Sequence, residues 1–461
     1  MPGVILNDAA VELPDDPVNL LDWLRAAGLT AAKPGCRGGD CGACQVLLGE
    51  VPPEGGAPVY RAVNSCLIDT LLVADCHVIT VEGLRRDTRG PVHDALVEEG
   101  GIQCGYCTPG LVAALTAGLL AGVDPGEAAA GNLCRCTGYA GIRRACARLA
   151  AELPPRPLTL ADAARRGLLR DTVAAAGARL ALLRPDGVPD GSAPRILVAG
   201  ETDATLRHPH AATPPGGLRV HRLPAVRGIS AVGGSLRIGA GVTVAELRSD
   251  PLVSAAWPAL APLLDRFGSP AVRNLATVGG NLVNASPVGD LGVLLLAMGA
   301  ELTIDGPAGP RTLPLEQFYR GYKDVDLAAD ELLVAVTVPG AAPTRTLHAE
   351  KVGRREHDDI ASVSSAMVVD GGAPGRFGAV RLSAGGVAPV PLLLRGASEA
   401  LSGREISVPV VRGALALLAG ETTPITDVRG SAAYKARLLR HLVVAHAATL
   451  EPRLDVWGCL G

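Results

Sequence analysis

The sequence predicts an α+β chain of several domains, and three observations carry that expectation: its length, its apolar composition, and a shift along the chain from cysteine-rich to strand-rich segments. At 461 residues it exceeds what one hydrophobic core organises, and ordinary domain sizes give roughly three or four units. Hydrophobic residues make up 48% and charged residues 19%, which is enough apolar material to bury several cores and far from a disordered composition. The net charge of -3 comes from nearly balanced acids and bases spread along the chain, so no electrostatic footprint for nucleic acid or a membrane surface is expected. Apolar stretches such as residues 111–123 and 291–297 fall short of the roughly 18 residues a membrane span needs. Residues 1–10 lack a basic-then-apolar leader, and a cytoplasmic location is the expectation.

Residues 4–12 read as a short hairpin with Asn7-Asp8 at its turn, followed by a helix over 18–27 with Leu20, Leu21 and Leu24 on its apolar side. Strands over 45–48 and 77–81 close an α+β unit predicted at 1–86. The pattern then turns helical, with helices expected over 92–99, 109–121, 125–130 and 139–152, two of them opened by prolines placed where the missing N–H has no intrahelical partner anyway. This four-helix unit spans 87–152. Residues 153–193 carry no chemical motif and are read as a linker with one helical stretch near 160–175. From 194 to 341, strand-like runs at 196–199, 236–238, 302–304 and 332–338 alternate with helices and glycine turns. A last α+β unit, 342–461, has strands expected at 361–369 and 379–384 and helices at 408–418 and 432–450.

Ten of the eleven cysteines precede residue 147, and in a long chain without a secretory leader that concentration points to metal or cluster ligation rather than a disulfide scaffold. Cys36, Cys41, Cys44 and Cys66 have C-x4-C-x2-C-x21-C spacing, whose first three members match a plant-type [2Fe-2S] loop. The glycines between them let backbone amides approach sulfur closely. Cys104, Cys107, Cys134 and Cys136 form a second set, C-x2-C-x26-C-x-C. Thr108 and Thr137 follow two of these cysteines, where they can cap helices whose positive ends favour thiolates. Zinc is the alternative, but zinc sites usually pair two C-x2-C knuckles, and each set here has one long gap and one atypical pair. Cys76, Cys146 and Cys459 are assigned no role. His208 and His210 lack a third ligand nearby in sequence and are read as surface histidines.

The segments GCRGGDCGACQV (35–46), QCGYCTPG (103–110) and NLCRCTGY (132–139) resemble the N-terminal half of the molybdenum hydroxylases. LVAGETD (197–203), RIGAGVT (237–243), ATVGGN (276–281) and SPVGD (286–290) resemble that family's FAD module. The resemblance covers essentially the whole chain apart from the linker. It implies a ferredoxin-like β-grasp [2Fe-2S] domain, a four-helix [2Fe-2S] domain, a two-subdomain α+β FAD-binding domain and a C-terminal flavoprotein domain.

By the same resemblance, Leu197, Val198, Ala199, Gly200, Glu201, Thr202 and Asp203 face the FAD pyrophosphate, a role suited to a small, glycine-containing turn after a strand. Thr277, Gly279, Gly280, Asn281 and Asp290 lie around phosphate and ribitol, while Phe267, Leu333 and Lys351 lie near the flavin ring. Asp358 and Asp359, within the mixed-charge run 354–360, face the nicotinamide side, as does Tyr322. Glu201 departs from the family pattern, since many relatives have a second glycine there. The implied cofactors are two [2Fe-2S] clusters and FAD, with NAD as electron acceptor. Molybdopterin belongs to a large partner subunit that docks around Gln103 and Cys136, in a heterotetramer of two small and two large chains. Fusion of clusters and flavin in one chain favours, within the family, the xanthine dehydrogenase type; a type acting on aldehydes or another N-heterocycle, or a stand-alone electron carrier, is the alternative.

Overall fold

The computed structural model describes residues 3–52, 55–84, 89–153, 157–175, 179–180, 197–207, 218–340, 342, 344–355 and 358–461. The expected linker beyond residue 180, Ile196, His208, His210, Glu356 and His357 lie outside the described residues. Two compact units emerge: residues 1–220 with 269–276, and residues 221–268 with 277–461. They cut through the segment 194–341 that the sequence suggested as one domain.

The first unit opens on β1 (Gly3–Leu6) and β2 (Ala9–Glu12), a hairpin whose turn residue Asn7 has φ 54°. With β3 (Gln45–Glu50), β4 (Val59–Asn64) and β5 (His77–Ile79) they make a sheet of order β2-β1-β5-β3-β4. Only β1 and β5 run parallel. Helix α1 (Leu20–Ala26) covers it with Leu20, Leu21 and Leu24, all fully buried; each contributes about 1.5–3 kcal/mol of apolar burial. The strand expected at 77–81 stops at Ile79. Thr80 donates its N–H to Asn7 Oδ1 (2.9 Å) instead of continuing the ladder, and Val81 opens the short helix α2 (Val81–Leu84).

Four helices follow: α3 (Pro91–Glu98), α4 (Thr108–Ala121), α5 (Pro125–Ala128) and α6 (Ala140–Glu152). Helix α4 is apolar on every side because it is central, and Leu111, Val112 and Leu115 are buried; Gly122 ends it in the left-handed conformation. The helix expected at 160–175 is two, Leu160–Arg165 and Asp171–Ala174, since Gly167 turns the chain at φ 74°. Strand β6 (Leu197–Val198) pairs in parallel with β7 (Leu218–Arg219).

In the second unit, β8 (Ile229–Val232), β9 (Ser235–Gly239), β10 (Glu301–Asp305) and β11 (Arg311–Pro314) join β14 (Leu332–Pro339) in an antiparallel sheet of order β11-β10-β14-β9-β8. Between them lies the hairpin β12 (Tyr319–Gly321) and β13 (Asp324–Val325). The chain closes with the sheet β15 (Arg345–Val352), β16 (Val363–Asp370), β17 (Ala379–Gly385) and β18 (Leu392–Leu393), together with the helices Val408–Glu421 and Ala432–Leu450. The helix Asp290–Ala297 packs on this second sheet, where Ser383 donates to the carbonyl of Val293 at 2.7 Å.

Candidate functional site

The first cysteine loop wraps back on itself because three of its residues adopt left-handed backbone: Arg37, Gly39 and Gly42, at φ 53°, 85° and 67°. A side chain at Gly39 would strike Leu67 Cδ1 at 2.6 Å, so glycine is required there for space as well as for conformation. The curl aims amides at sulfur. Gly38 and Cys41 both donate to Cys36 Sγ, at 3.3 and 3.4 Å, and Cys36 donates to Cys41 Sγ at 3.3 Å. Cys36 and Cys41 form one close thiol pair, and Cys44 and Cys66 another. Hydrogen bonding from Cys41 draws the Cys36 thiol down to about 5 despite burial, while Cys41 is pushed up by the same contact.

The second set pairs in the same way, Cys104 with Cys136 and Cys107 with Cys134. Burial first, then Cys134, pushes Cys107 up to about 12. Thr108 and Thr137 do not cap helices. Cys107 is itself the N-cap of α4, and Thr108 Oγ1 is buried without a partner. Thr137 instead places its hydroxyl 3.1 Å from Cys134 Sγ, and the Tyr139 hydroxyl accepts from the Cys134 amide at 3.0 Å.

Two pairs per set is the arrangement a binuclear cluster needs, with two thiolates for each iron. Among the described residues no group of three or more His, Cys, Asp or Glu side chains is gathered as for a single ion. The two loops also interlock. Leu133 donates its amide to Cys41 O at 3.0 Å, Asn132 Nδ2 to Gly42 O at 3.1 Å, and a Cβ on Gly110 would meet Gly42 O at 2.0 Å. Around the second set, Gln103, Cys104, Cys136, Tyr106, Leu133 and Tyr139 are exposed.

Also in the first unit, β6 leads into the loop 199–203. A Cβ on Gly200 would stand 1.8 Å from Leu275 O, so the loop presses against the backbone of 275–276. Glu201, with φ 56°, occupies a left-handed position of the kind that favours glycine, and its Oε2 accepts the amide of Asp69 at 3.0 Å. Thr202 and Asp203 are half-buried.

In the second unit, residues 240–243 dock on 277–279: Val278 and Gly279 donate to the carbonyls of Val242 and Ala240 at 2.9 and 2.7 Å. Gly279 is obligatory, since a Cβ would meet Ala240 Cβ at 2.7 Å. Thr277 caps the helix Val278–Val283 by accepting from Gly280 N at 3.0 Å. Asn281 Oδ1 and Asp290 Oδ1 are buried without protein partners, which suits a polar ligand supplying donors to them. Asp290 Oδ2 is held by Lys351 Nζ at 2.7 Å, and Lys351 also donates to Arg266 O at 2.8 Å, beside buried Phe267. Burial pushes the Asp290 carboxyl above the usual range, against the pull of Lys351. Leu333 is buried in β14, and Tyr322 sits exposed at the tip of the β12–β13 hairpin.

The acidic pair divides. Asp359 turns inward: Oδ2 accepts from the amides of Arg354 and Arg355, and Oδ1 from Ile360 at 2.9 Å. Burial raises its pKa, but these amides outweigh burial and hold it low. Asp358 adopts φ 50° in the same turn. Sequence reasoning missed the structural roles of Asp69, Asn132 and Gly110; Asn132 and Gly110 stand inside the cysteine motifs 132–139 and 103–110 but were given no role there, and Asp69 lies in no motif.

Four domain descriptions match the chain: the 2Fe-2S iron-sulfur cluster binding domain at 4–68, the [2Fe-2S] binding domain at 80–147, the FAD binding domain in molybdopterin dehydrogenase at 185–341, and the CO dehydrogenase flavoprotein C-terminal domain at 348–449. Among solved structures the chain is similar to the carbon monoxide dehydrogenase from Hydrogenophaga pseudoflava, with 30% identity and a TM-score of 0.51, over 55% of this chain and 88% of that one. This chain belongs to the molybdenum hydroxylase family. Another solved molybdenum hydroxylase relative, the reconstituted CO dehydrogenase from Oligotropha carboxidovorans, is 26% identical with a TM-score of 0.52, over 55% of this chain and 90% of that one. Xanthine dehydrogenase 1 of Arabidopsis thaliana is 28% identical over 89% of this chain and 36% of its own length. Aldehyde oxidase 1 of Bos taurus is 27% identical over 85% and 34%. This molybdenum hydroxylase chain therefore spans about a third of the length of the curated relatives it matches, and corresponds to the iron–sulfur and FAD part. Among its described residues no helix is long and apolar enough to cross a membrane.

Proposed function

We propose that this chain is the electron-transferring part of a xanthine dehydrogenase, accepting electrons from a molybdopterin-bearing partner chain and delivering them to NAD. The observation that carries the reading is the interlocking of the two cysteine loops through Gly42, Gly110, Asn132 and the Leu133–Cys41 hydrogen bond, which gives two adjacent thiol sets within one unit. Cys36, Cys41, Cys44 and Cys66 hold one [2Fe-2S] cluster, and Cys104, Cys107, Cys134 and Cys136 the other. When bound, the clusters supply one-electron carriers and FAD a centre that exchanges one or two electrons.

The protein residues orient and tune. Leu197, Val198, Ala199, Gly200, Thr202 and Asp203 of β6 and the loop after it, together with Thr277, Gly280, Asn281, Asp290, Phe267, Leu333 and Lys351, are the residues assigned to FAD, with Glu201 belonging to the same loop. Asp358, Asp359 and Tyr322 are the residues on the nicotinamide side, and Asp359 also shapes its loop by accepting three amides. The exposed apolar rim of Tyr106, Leu133 and Tyr139 around Cys104 and Cys136 is the surface for the partner chain, in a heterotetramer of two small and two large chains in the cytoplasm.

A second reading has the partner oxidise carbon monoxide, which the similarity to a carbon monoxide dehydrogenase structure at 30% identity favours, or an aldehyde, which the similarity to an aldehyde oxidase at 27% identity favours. Capture of the partner chain from the native cell, followed by assay with hypoxanthine, xanthine, carbon monoxide and aldehydes, separates the two. NAD reduction driven by xanthine is the expected result. Activity confined to carbon monoxide or aldehydes selects the second reading, and xanthine oxidation by this chain alone overturns the division between two chains.

A further inference from the structure

Glu201 is an anomaly in a loop read as phosphate-binding: an acidic side chain, in left-handed backbone, where repulsion of a pyrophosphate would be expected. Its surroundings resolve the conflict. The residue is only 9% exposed, and its carboxylate is turned onto the Asp69 amide, 132 positions away in sequence. Asp69 lies three residues beyond Cys66, in a segment that is itself fixed. Asn19 Nδ2 donates to Cys66 O at 3.0 Å, and Asp69 Oδ1 accepts the amide of Leu71 at 2.9 Å. The loop's other anchors reach the same place. Val198 and Leu275 belong to the hydrophobic cluster that includes Cys66, Leu67 and Ile68, and Arg219, on the strand beside β6, pairs with Asp75 at 3.0 Å.

We propose that Glu201 is a positioning residue: it clamps the FAD-phosphate loop to the segment that carries the fourth thiol of the first cysteine set, and it does not contact the cofactor. The clamp holds the loop in its bound shape before FAD arrives and fixes it against the cluster-bearing domain. This rests on the reading of residues 197–203 as the phosphate loop.

The test uses the full chain stripped of flavin and titrated with FAD. Glu201→Gly suits the left-handed backbone, so backbone strain cannot explain a loss; Glu201→Gln keeps a carbonyl acceptor for the Asp69 amide. Glu201→Gly is expected to raise the Kd for FAD about tenfold, the scale of one lost charge-assisted hydrogen bond, and to speed hydrogen exchange at the Asp69 amide, with iron content unchanged. Glu201→Gln is expected to restore most of both. FAD binding by Glu201→Gly that is as tight as in the native chain, or tighter, overturns the clamp, as does unaltered exchange at Asp69. Asp203→Ala separates the two levels: if it weakens FAD binding while Glu201→Gly does not, only the clamp falls, and if neither variant weakens it the phosphate-loop reading falls first.

Discussion

Lys351 Nζ lies 2.7 Å from Asp290 Oδ2 and 2.8 Å from the carbonyl of Arg266, so one ammonium on β15 ties the start of the helix Asp290–Ala297 to the residue preceding Phe267. Both side chains of the pair are at most one-fifth exposed. Lys351→Met is therefore expected to cost about 1–3 kcal/mol, less than the 3–5 kcal/mol of a fully buried pair, by leaving a desolvated carboxylate. Adding Asp290→Asn should recover part of the loss. Thermal unfolding of the two variants checks this, and a double variant less stable than Lys351→Met would contradict it.

A second pair sits in the C-terminal sheet. His348 Nδ1 and His446 Nδ1 are 2.6 Å apart, and His446 Nε2 is 3.0 Å from Ser365 Oγ. Glu350 and Thr449 face His348 from the other side. Burial, then the His348 charge, lowers His446 to about 3. A histidine depressed in the folded state contributes stability that is present above its unfolded pKa near 6.5 and is lost as pH falls from there toward 3. Denaturation measured between pH 7 and pH 4.5 should show a loss approaching about 1.4 kcal/mol per pH unit from this group. His446→Gln should flatten the slope.

The cysteine sets are complete separately, yet their loops touch. Cys104→Ser should remove one electron paramagnetic resonance signal of the reduced protein and leave the other. Gly110→Ala should disturb both, because its Cβ would meet the Gly42 carbonyl at 2.0 Å. Loss of both signals in a folded, flavin-loaded Cys104→Ser protein would count against independent sites.

For the loop 354–360, Asp359→Ala removes the acceptor for three backbone amides. Faster tryptic cleavage after Arg354 and Arg355 is expected, together with a raised KM for NADH in assays with an artificial acceptor. Asp358→Asn should raise the KM without the change in cleavage. Identical cleavage in the two variants would mean that Asp359 does not organise the loop.

Sequence alone determined what depends on local chemistry. The cysteine spacings named two four-thiol sets, the hairpin at Asn7 and the helices opened by Pro109 and Pro125 followed from turn and capping rules, and glycine runs marked the places where backbone must come close. Tertiary structure decided what depends on contacts between distant residues. The pairing of thiols two by two, the interlock of Gly42 with Gly110, the inward turn of Asp359 and the grip of Glu201 on Asp69 leave no signal in any short window. Each is set by which backbone groups remain unsatisfied once the sheets and helices are packed, and that accounting closes only in three dimensions.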